Sequence, residues 1–422
     1  MIHKGEKIVK RLINCTCILF MALILLTAGC GKEAAPQGAA TTDNSIFETV
    51  IKNAKGTTVN FYGWGGDEKI NKWVDNVLAK KVKDDYDLTL KRIPVDDIQT
   101  VISKLADAKQ AGVQKGSIDL IWVNGENFYT AKKNNLLYGP FTQSLPNYMK
   151  YVDQTSDDVK YDFGNSVDGL ESPYGKAELV LINDAAVTPE TPKNTQELLG
   201  FAMKYKGKVT YPASPDFTGS AFLRNVIYDV VGYEKVKAAG TDKQKLKEAI
   251  QPAIDYLKEL KPYLWKEGKT YPASIGQLHN MFADGEAVLD ISYDPNAVSS
   301  MISKGKIKDT ARNFIFDKGM IGNTHFLAIP NNAGNKDGAM AVINAVLSPE
   351  IQASKYDYAN WGDLPVLDNT KLSSTEQELF NKIPLGKGVI PQAILLSKRL
   401  PELPANMVPL IEEIWQSEIP NK

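Results

Sequence analysis

The sequence predicts an α/β fold of two domains, each with a mainly parallel sheet flanked by helices. Two observations lead to this prediction: short apolar strands alternate with amphipathic helices, and a chain of 422 residues exceeds the usual size of one domain. Strands that alternate with helices indicate βαβ units. In such sheets ligands bind beyond the carboxyl ends of the strands, so the loops there are the first candidates for a binding site.

The first half of the chain carries the clearest alternation. A strand at residues 58–62 is followed by a glycine-rich turn at 63–66 and by a helix whose apolar residues recur at helical spacing. A second strand at 88–93, a helix at 97–111 and a buried-type strand at 118–123 continue the pattern. Further strands are predicted at 179–182, 209–211, 288–292, 313–316 and 324–329, and further helices at 195–204, as a pair at 219–263, before Ala283, at 337–347 and at 408–417.

The N-terminus has the layout of a secretory signal peptide, which we assign to residues 1–29. Basic residues precede a nine-residue apolar run at 18–26, and small residues follow before Cys30. The run is well short of the roughly 20 residues that an α-helix needs to cross a membrane. We therefore interpret it as the core of a cleaved signal and not as a transmembrane helix.

The end of this signal resembles the lipobox of bacterial lipoproteins. Residues 26–30 read Leu-Thr-Ala-Gly-Cys, and the resemblance implies that Cys30 is lipidated and anchors the mature chain to the cell membrane. An ordinary cleavage site with an incidental cysteine is the alternative. The following stretch is rich in Ala, Gly, Thr and Gln without apolar periodicity, so we predict a flexible tether within residues 30–55.

Composition limits the possible partners. The only cysteines are Cys15, Cys17 and Cys30, so the mature chain has no intramolecular disulfide. The formal charge is −1, and removal of residues 1–29 leaves a mildly acidic chain of charge −4. A nucleic-acid partner would demand a basic face, so this charge argues against one, and we expect none. We expect a monomer with no cofactor and no bound metal.

Several segments resemble one family of transport proteins when they are taken in order. They are the Gly-Trp-Gly-Gly turn at 63–66, Gly-Ser-Ile-Asp-Leu-Ile at 116–121, Leu-Tyr-Gly-Pro-Phe at 137–141, Glu-Leu-Val-Leu-Ile-Asn at 178–183 and Phe-Ala-Asp-Gly-Glu-Ala-Val at 282–288. This order is similar to the type II periplasmic-binding-protein fold of solute-binding lipoproteins from ABC importers. Within it, the chain looks closest to the branch that holds polyamine-, thiamine- and iron-binding proteins and the YnjB-type proteins.

The resemblance implies two lobes with a ligand cleft between them. The chain would cross between the lobes near Val180, Phe326 and Pro365. Lobe I would comprise residues 56–179 with 326–364, and lobe II residues 180–325 with 365–422. The resemblance further implies an extracytoplasmic location, closure of the hinge on a small-molecule ligand, and delivery to an ABC permease and its ATPase.

Aromatic rings stand beside carboxylates in the predicted cleft loops. Such pairs occur at Trp64 with Asp67, Trp122 with Glu126, Asp216 with Phe217, and Tyr293 with Asp294. A ring face attracts a cation, and a carboxylate is expensive to bury unless a positive partner arrives. An organic cation such as a polyamine, thiamine or a thiamine phosphate is therefore the expected ligand. The expected ligand-binding residues are Trp64, Gly65, Asp67, Glu126, Asn127, Tyr174, Asp216, Thr218, Tyr293, Asn323 and Trp361.

Some of these residues have a second interpretation. Asp67 and Asp216 could cap helices, and Asn127 could cap the helix that follows it. Trp64 could pack at the hinge, and Trp122 is expected in the core of its lobe. The helix start at 218–220 could bind an anion through backbone N–H groups, which keeps a phosphate ester or a sugar as an alternative ligand.

An enzyme is the main alternative from another class. His279 and His325 are the only histidines after residue 29, and the sequence has no HExxH, GxSxG or Walker A motif and no adjacent tyrosines. We therefore expect a protein without catalytic activity. A secreted hydrolase with paired carboxylates stays open because such acids are recognised by geometry. A structural lipoprotein without a cleft is the third possibility.

Overall fold

The computed structural model describes residues 44–420, so the predicted signal peptide and Cys30 lie outside the described residues. The strands are β1 (Thr58–Trp64), β2 (Thr89–Val95), β3 (Leu120–Val123), β4 (Tyr161–Asp162), β5 (Asn165–Ser166), β6 (Glu171–Glu178), β7 (Val180–Asp184), β8 (Leu289–Ser292), β9 (Ala311–Phe314), β10 (Met320–Ala328) and β11 (Arg399–Leu400).

The helices surround these strands. They are α1 (Asn44–Ala54), α2 (Glu68–Trp73), α3 (Ala79–Tyr86), α4 (Gln99–Gln110), α5 (Gly125–Lys133), α6 (Pro146–Tyr151), α7 (Asp157–Lys160), α8 (Thr195–Lys204), α9 (Phe217–Val231), α10 (Tyr233–Ala239), α11 (Lys243–Leu260), α12 (Ile275–Ala283), α13 (Ala297–Ser303), α14 (Lys336–Val346), α15 (Pro349–Tyr356), α16 (Ser374–Asn381), α17 (Gln392–Ser397) and α18 (Val408–Glu418). A π-helical turn at Val74–Leu78 joins α2 to α3.

Two sheets carry the fold. The larger one has the order β6-β10-β3-β1-β2, with β11 beside the start of β10. Strand β1 runs parallel to β2 and β3, whereas β10 runs antiparallel to β3 and β6. The smaller sheet has the order β8-β7-β9, and both of its pairings are antiparallel. The predicted α/β class is confirmed, but the expectation of mainly parallel sheets is wrong for the smaller sheet.

Each lobe has its own hydrophobic core. The lobe I core lies around the larger sheet and includes Phe61, Leu120 and Val342. The lobe II core lies around the smaller sheet and includes Leu181 and Phe222. Strands β6 and β10 run from one core towards the other, so we call this pair the hinge strands. The two-lobe architecture is confirmed, while the residue boundaries of the lobes stay a prediction.

Three local predictions are wrong. Residues 209–211 form no strand, because this buried extended segment makes only single backbone bonds, such as that from Trp265 N to Val209 O at 2.8 Å. The region 219–263 holds three helices and not two, since Gly232, with φ of 92°, separates α9 from α10. The predicted tether extends too far, because Asn44–Ala54 forms helix α1, which packs into the lobe I core.

Other predicted elements are close to the observed ones, and helix α8 has the predicted bounds Thr195–Lys204. Within residues 44–420, no helix combines the length and apolar character needed to cross a bilayer.

Candidate functional site

A cavity of about 750 Å³ opens between the two lobes. From lobe I it is bordered by the loops after β1 and β2 and by the end of β3. From lobe II it is bordered by the starts of α9 and α12 and by the loop after β8. The hinge strands and residues 361–363 form its floor. We call this cavity the cleft.

Trp64 forms an aromatic surface on the lobe I wall. It is the last residue of β1, and although large and apolar it is 47% exposed. The two glycines that follow give it room. A Cβ atom at Gly66 would lie 2.4 Å from the indole Cζ2, and one at Gly65 would lie 2.5 Å from the Cβ of Pro94. The indole therefore lies over the Gly66 backbone, and Gly65 supports this turn without itself lining the cleft.

Asp67 has two roles in the same wall. Its Oδ1 accepts hydrogen bonds from the backbone N–H groups of Lys69 at 2.7 Å and Ile70 at 3.1 Å, which caps helix α2. Its other carboxylate oxygen makes no such bond, and the residue lines the cleft. The capping interpretation is therefore correct but leaves half of the carboxylate free for a ligand.

The opposite wall presents a second exposed ring. Phe217, the first residue of α9, is 48% exposed, and its ring centroid lies 5.1 Å from that of Tyr293. Tyr293 is held in place by its hydroxyl, which donates to Glu402 at 2.8 Å. Glu402 in turn accepts from Nε and Nη2 of the buried Arg224, at 3.1 and 3.0 Å. Burial raises the pKa of Tyr293, and Glu402 adds to that shift, so the phenol remains a donor.

Asp216 serves the fold on both sides of its carboxylate. One oxygen accepts from Gly219 N at 2.8 Å and caps α9, and the other accepts from Ile275 N at 2.9 Å at the start of α12. This geometry favours the capping interpretation, although the residue lines the cleft. Its neighbour Thr218 is buried yet lines the cleft, and its hydroxyl has no hydrogen-bond partner among the described residues.

Asp294 is the carboxylate most open to the cleft on the lobe II side. It follows β8, and its backbone N–H donates to the hydroxyl oxygen of Ser292 at 3.0 Å. Desolvation of the carboxylate within the cleft raises its pKa to about 7. Repulsion from Asp363 and Asp67 adds to the shift, whereas a bond from Asn296 N and the charge of Lys69 oppose it. Carboxylates from opposite lobes therefore repel each other across this cleft.

The floor combines polar groups with rings. Asn323 on β10 is only 6% exposed, lines the cleft and has no side-chain hydrogen bond among residues 44–420. His325, two residues further on, bonds through Nε2 to Asp363 at 2.9 Å and stacks on Trp361 with an interplanar angle of 18°. The buried ammonium of Lys355 lies 2.5 Å from Asp363.

The charge of Asp363 is balanced below the floor. Burial alone would raise the pKa of Asp363, but His325 and Lys355 lower it overall. Burial lowers the pKa of Lys355 in spite of its bond to Asp363. The Lys355 ammonium also lies 5.3 Å from the ring centroid of Trp361 and 5.5 Å from that of Tyr174. The Lys355 ammonium thus already occupies the faces of the Trp361 and Tyr174 rings that lie towards it.

Eight of the eleven predicted ligand residues line the cleft. Gly65, Glu126 and Tyr174 do not. Tyr174 is fully buried beneath the floor, where its ring centroid lies 5.4 Å from that of Trp122. Glu126 lies in the first turn of α5, outside the cleft, where partial burial and Glu412 raise its pKa. The eight residues brought together are Trp64, Asp67, Asn127, Asp216, Thr218, Tyr293, Asn323 and Trp361.

For the loop after β3, the capping interpretation of Asn127 is wrong, whereas the core interpretation of Trp122 is correct in part. Asn124, and not Asn127, occupies the N-cap position of α5, and it makes no side-chain cap. Trp122 packs partly against the lobe I core, as expected, and also lines the cleft. Asp363 was missed by sequence reasoning, although it stands near Trp361 in the ring-and-carboxylate pattern that selected the other loops. Residues 44–420 contain no cluster of acidic, His or Cys side chains suited to a metal ion.

Comparison with known proteins places the chain in a family. The model of the bacterial extracellular solute-binding proteins matches residues 77–380. The chain therefore belongs to the bacterial extracellular solute-binding proteins, which makes it a binding protein and not an enzyme. It is 38% identical over 338 residues to Protein YnjB of Escherichia coli strain K12, which covers 80% of this chain and 86% of that relative.

Solved structures share the fold at low sequence identity. An ABC transporter protein from Clostridium perfringens ATCC 13124 has a TM-score of 0.61 at 19% identity, and covers 86% of this chain and 99% of that one. A periplasmic thiamin binding protein has a TM-score of 0.56 at 16% identity, with 86% and 96% covered. The spermidine/putrescine substrate-binding protein PotD from Streptococcus pneumoniae has a TM-score of 0.54 at 16% identity, and the match covers 85% of this chain and 99% of that one.

The Arg224–Glu402 pair should dominate the stability of the lobe II wall. Replacing Arg224→Met should lower the free energy of unfolding by about 3–5 kcal/mol, because Glu402 would be left buried without a cation. The double variant Arg224→Met with Glu402→Gln should recover at least half of that loss. Urea unfolding monitored by circular dichroism measures both values.

The exposed pair Lys243–Glu413 provides the matched control. Both side chains are more than half exposed, so Lys243→Met should cost at most about 1 kcal/mol. Equal losses for Arg224→Met and Lys243→Met would show that the buried pair does not hold the wall.

Proposed function

We propose that the protein captures a small organic cation, such as thiamine, a thiamine phosphate or a polyamine, by closing its two lobes. The closed protein delivers the ligand to an ABC permease driven by an ATPase. The single observation that supports this ligand class is the placement of an exposed ring near a carboxylate on each wall: Trp64 with Asp67 in lobe I, and Phe217 with Asp294 in lobe II. A cation between the walls would gain the ring faces and relieve the repulsion between the carboxylates.

The anion alternative loses its strongest support at the start of α9. The N–H of Gly219 already bonds to the Asp216 carboxylate at 2.8 Å, and the N–H of Ser220 bonds to the Asp216 carbonyl at 2.8 Å. A phosphate at this helix end would meet a carboxylate where it needs free N–H groups. Thiamine phosphates stay in the proposal because their cationic ring can occupy the aromatic walls.

Closure would follow from differential affinity for the two conformations. Trp64 and Asp67 belong to one lobe, and Phe217 and Asp294 to the other, so only a closed cleft lets one ligand contact all four. A ligand shifts the equilibrium by the difference between its affinities for the open and closed forms. The two exposed rings are thus expected to become buried on binding.

The first test compares ligands on a fragment of residues 42–422, which includes every described element and all the hydrophobic cores. Thiamine, thiamine phosphate, spermidine and putrescine are tested in thermal shift and calorimetry beside glucose and fructose 6-phosphate. A ligand at 100 times Kd should stabilise the fold by about 2.7 kcal/mol. We expect a shift with at least one of the organic cations. Stabilisation by the sugars alone would contradict the cation proposal.

Removal of the cleft rings should weaken binding of that cation. Trp64→Ala and Phe217→Ala should each raise Kd roughly 5- to 30-fold, the effect of a lost cation–ring contact of 1–2 kcal/mol. Tyr161, a ring of similar exposure outside the cleft, is the control, and Tyr161→Ala should leave Kd unchanged. Isothermal titration calorimetry gives all the constants, and equal effects at the three positions would place the ligand elsewhere.

Binding should depend on the ionisation of Asp294. Because its pKa is raised to about 7, the carboxylate gains its charge as the pH rises through 7, and a cation then binds more tightly. Between pH 6 and 8, Kd for thiamine, whose thiazolium charge does not titrate, should fall roughly tenfold. Asp294→Asn should bind more weakly and with a clearly shallower slope. An undiminished slope in this variant would assign the whole titration to another group.

Lipidation at Cys30 is also part of the proposal and is tested on the full chain in a bacterial host. A diacylated cysteine would hold the mature chain at the membrane, since stable anchoring needs two acyl chains. Cys30→Ser should move the protein from the membrane fraction to the soluble fraction and abolish labelling with a radioactive fatty acid. Unchanged fractionation and labelling would favour the incidental-cysteine alternative.

A further inference from the structure

The face of the hinge strands that points away from Asn323 and His325 carries charged residues. In the antiparallel pair of β6 and β10, Glu178 lies opposite Gly322 and Lys176 lies opposite Thr324. Side chains alternate between the two faces of a strand, so these positions share the face opposite to that of Asn323 and His325. We call this the back face of the hinge.

Arg399 reaches the back face from the neighbouring strand. It lies opposite Met320 in the parallel pair of β10 and β11. A Cβ atom at Gly322 would lie only 2.3 Å from Arg399 Nε, so the guanidinium lies over β10 on the side of Glu178. Its Nη1 donates to Asp158 at 2.5 Å, and Asp158 also pairs with Lys176 at 3.1 Å.

Five polar atoms at this place are buried without a hydrogen-bond partner among residues 44–420. They are both carboxylate oxygens of Glu178, Nε and Nη2 of Arg399, and the hydroxyl oxygen of Thr324. A buried polar atom without a partner destabilises the fold relative to a bonded one. An acid with two free oxygens and a guanidinium with two free donors thus lie on adjacent strands without bonding, although their geometries match for a bidentate pair.

The existing pair of Arg399 connects the two lobes. Asp158 precedes Val159, which packs in the lobe I core, and Arg399 precedes Leu400, which packs against the lobe II core. The cleft floor is formed by the face that carries Asn323 and His325, and the Arg399–Asp158 pair lies on the other face, although Lys176 also borders the cleft. When the lobes approach each other at the cleft, groups behind the hinge must separate.

We propose that Arg399 changes partners when the lobes close, leaving Asp158 and pairing with Glu178, so that these residues set ligand affinity from behind the hinge. Asp158 keeps Lys176 as its partner, so no charge is left alone. Arg399 and Glu178 are positioning residues, since neither lines the cleft. The inference rests on the lobe closure of the proposed function but not on the identity of the ligand.

The partner exchange would change the protonation of Glu178. In the described conformation burial raises the pKa of Glu178 to about 8, an effect that Arg399 partly offsets and Asp158 increases. The groups that face Glu178 are Arg399 from β11, Asp158 from α7 and Lys176 and Thr324 from the hinge strands. Pairing with Arg399 would ionise Glu178 and release its proton to the solvent, so a rise in pH towards 8 should favour the closed form.

The test measures the distance between the lobes without any ligand. The fragment 42–422 has no cysteine. Spin labels are attached at Lys80→Cys in α3 and Lys245→Cys in α11, whose side chains are 71% and 73% exposed. Pulsed electron paramagnetic resonance then gives the populations of long and short distances between pH 6 and 9. We expect the short-distance population of the unmodified hinge to grow as the pH rises.

Two substitutions should shift these populations in opposite directions. Asp158→Asn weakens the open-state pair and should increase the closed-to-open ratio by roughly three- to tenfold. Glu178→Gln removes the second partner, so it should lower that ratio and abolish its pH dependence. Asp168→Asn, which breaks an ion pair with Lys132 inside lobe I, is the control and should change nothing.

Each outcome decides the inference. If the distance populations do not change with pH and are the same in both hinge variants, Arg399 stays paired with Asp158 in both conformations. Shifts in the reverse direction would equally overturn the exchange. If one variant fails to fold, the other variant and the pH series of the unmodified hinge still give the answer. A responsive hinge in a protein that binds none of the tested cations would contradict the proposed ligand but leave the exchange standing.

Discussion

The antiparallel pairing of β6 with β10 is the constraint on which the rest of the structure depends. This ladder runs from Glu171 opposite Ala328 to Glu178 opposite Gly322 and connects the two cores. Its backbone bonds fix which side chains face the cleft and which face away. The walls of the cleft belong to separate lobes, so the geometry of the floor depends less on the relative position of the lobes than the geometry of the walls does.

The floor is accordingly built from groups that satisfy one another. A buried network of His325, Asp363 and Lys355 packs against Trp361. In this network the Asp363 carboxylate and a face of the Trp361 ring already have partners without a ligand. Buried networks of this kind are costly when partly satisfied, which favours a rigid floor. Asn323 is the exception, because its amide is buried and has no side-chain hydrogen bond to the described residues. It is thus the floor group best placed to orient a ligand.

The sequence predicted the repeating elements better than the long-range contacts. Helix α8 came out with its predicted bounds because Asn194 caps it and a clear apolar stripe follows. Residues 209–211 have the composition of a strand, but no neighbouring segment offers a ladder. Tyr174 was predicted at the ligand because it lies near a crossing. Its side chain points into the lobe I core, which strand position alone could not decide.

The carboxylates around the cleft show why capping and binding are not mutually exclusive. Asp216 gives both oxygens to backbone N–H groups, so a ligand would have to compete with two helix starts. Asp67 gives one oxygen to such bonds, and the carboxylate of Asp294 accepts, among residues 44–420, only from the N–H of Asn296. Each keeps an oxygen free, and each is fixed by the bond made by the other oxygen. A cation between the lobes would therefore meet two oriented acids on opposite walls, whereas Asp216 contributes chiefly by holding the Phe217 turn in place.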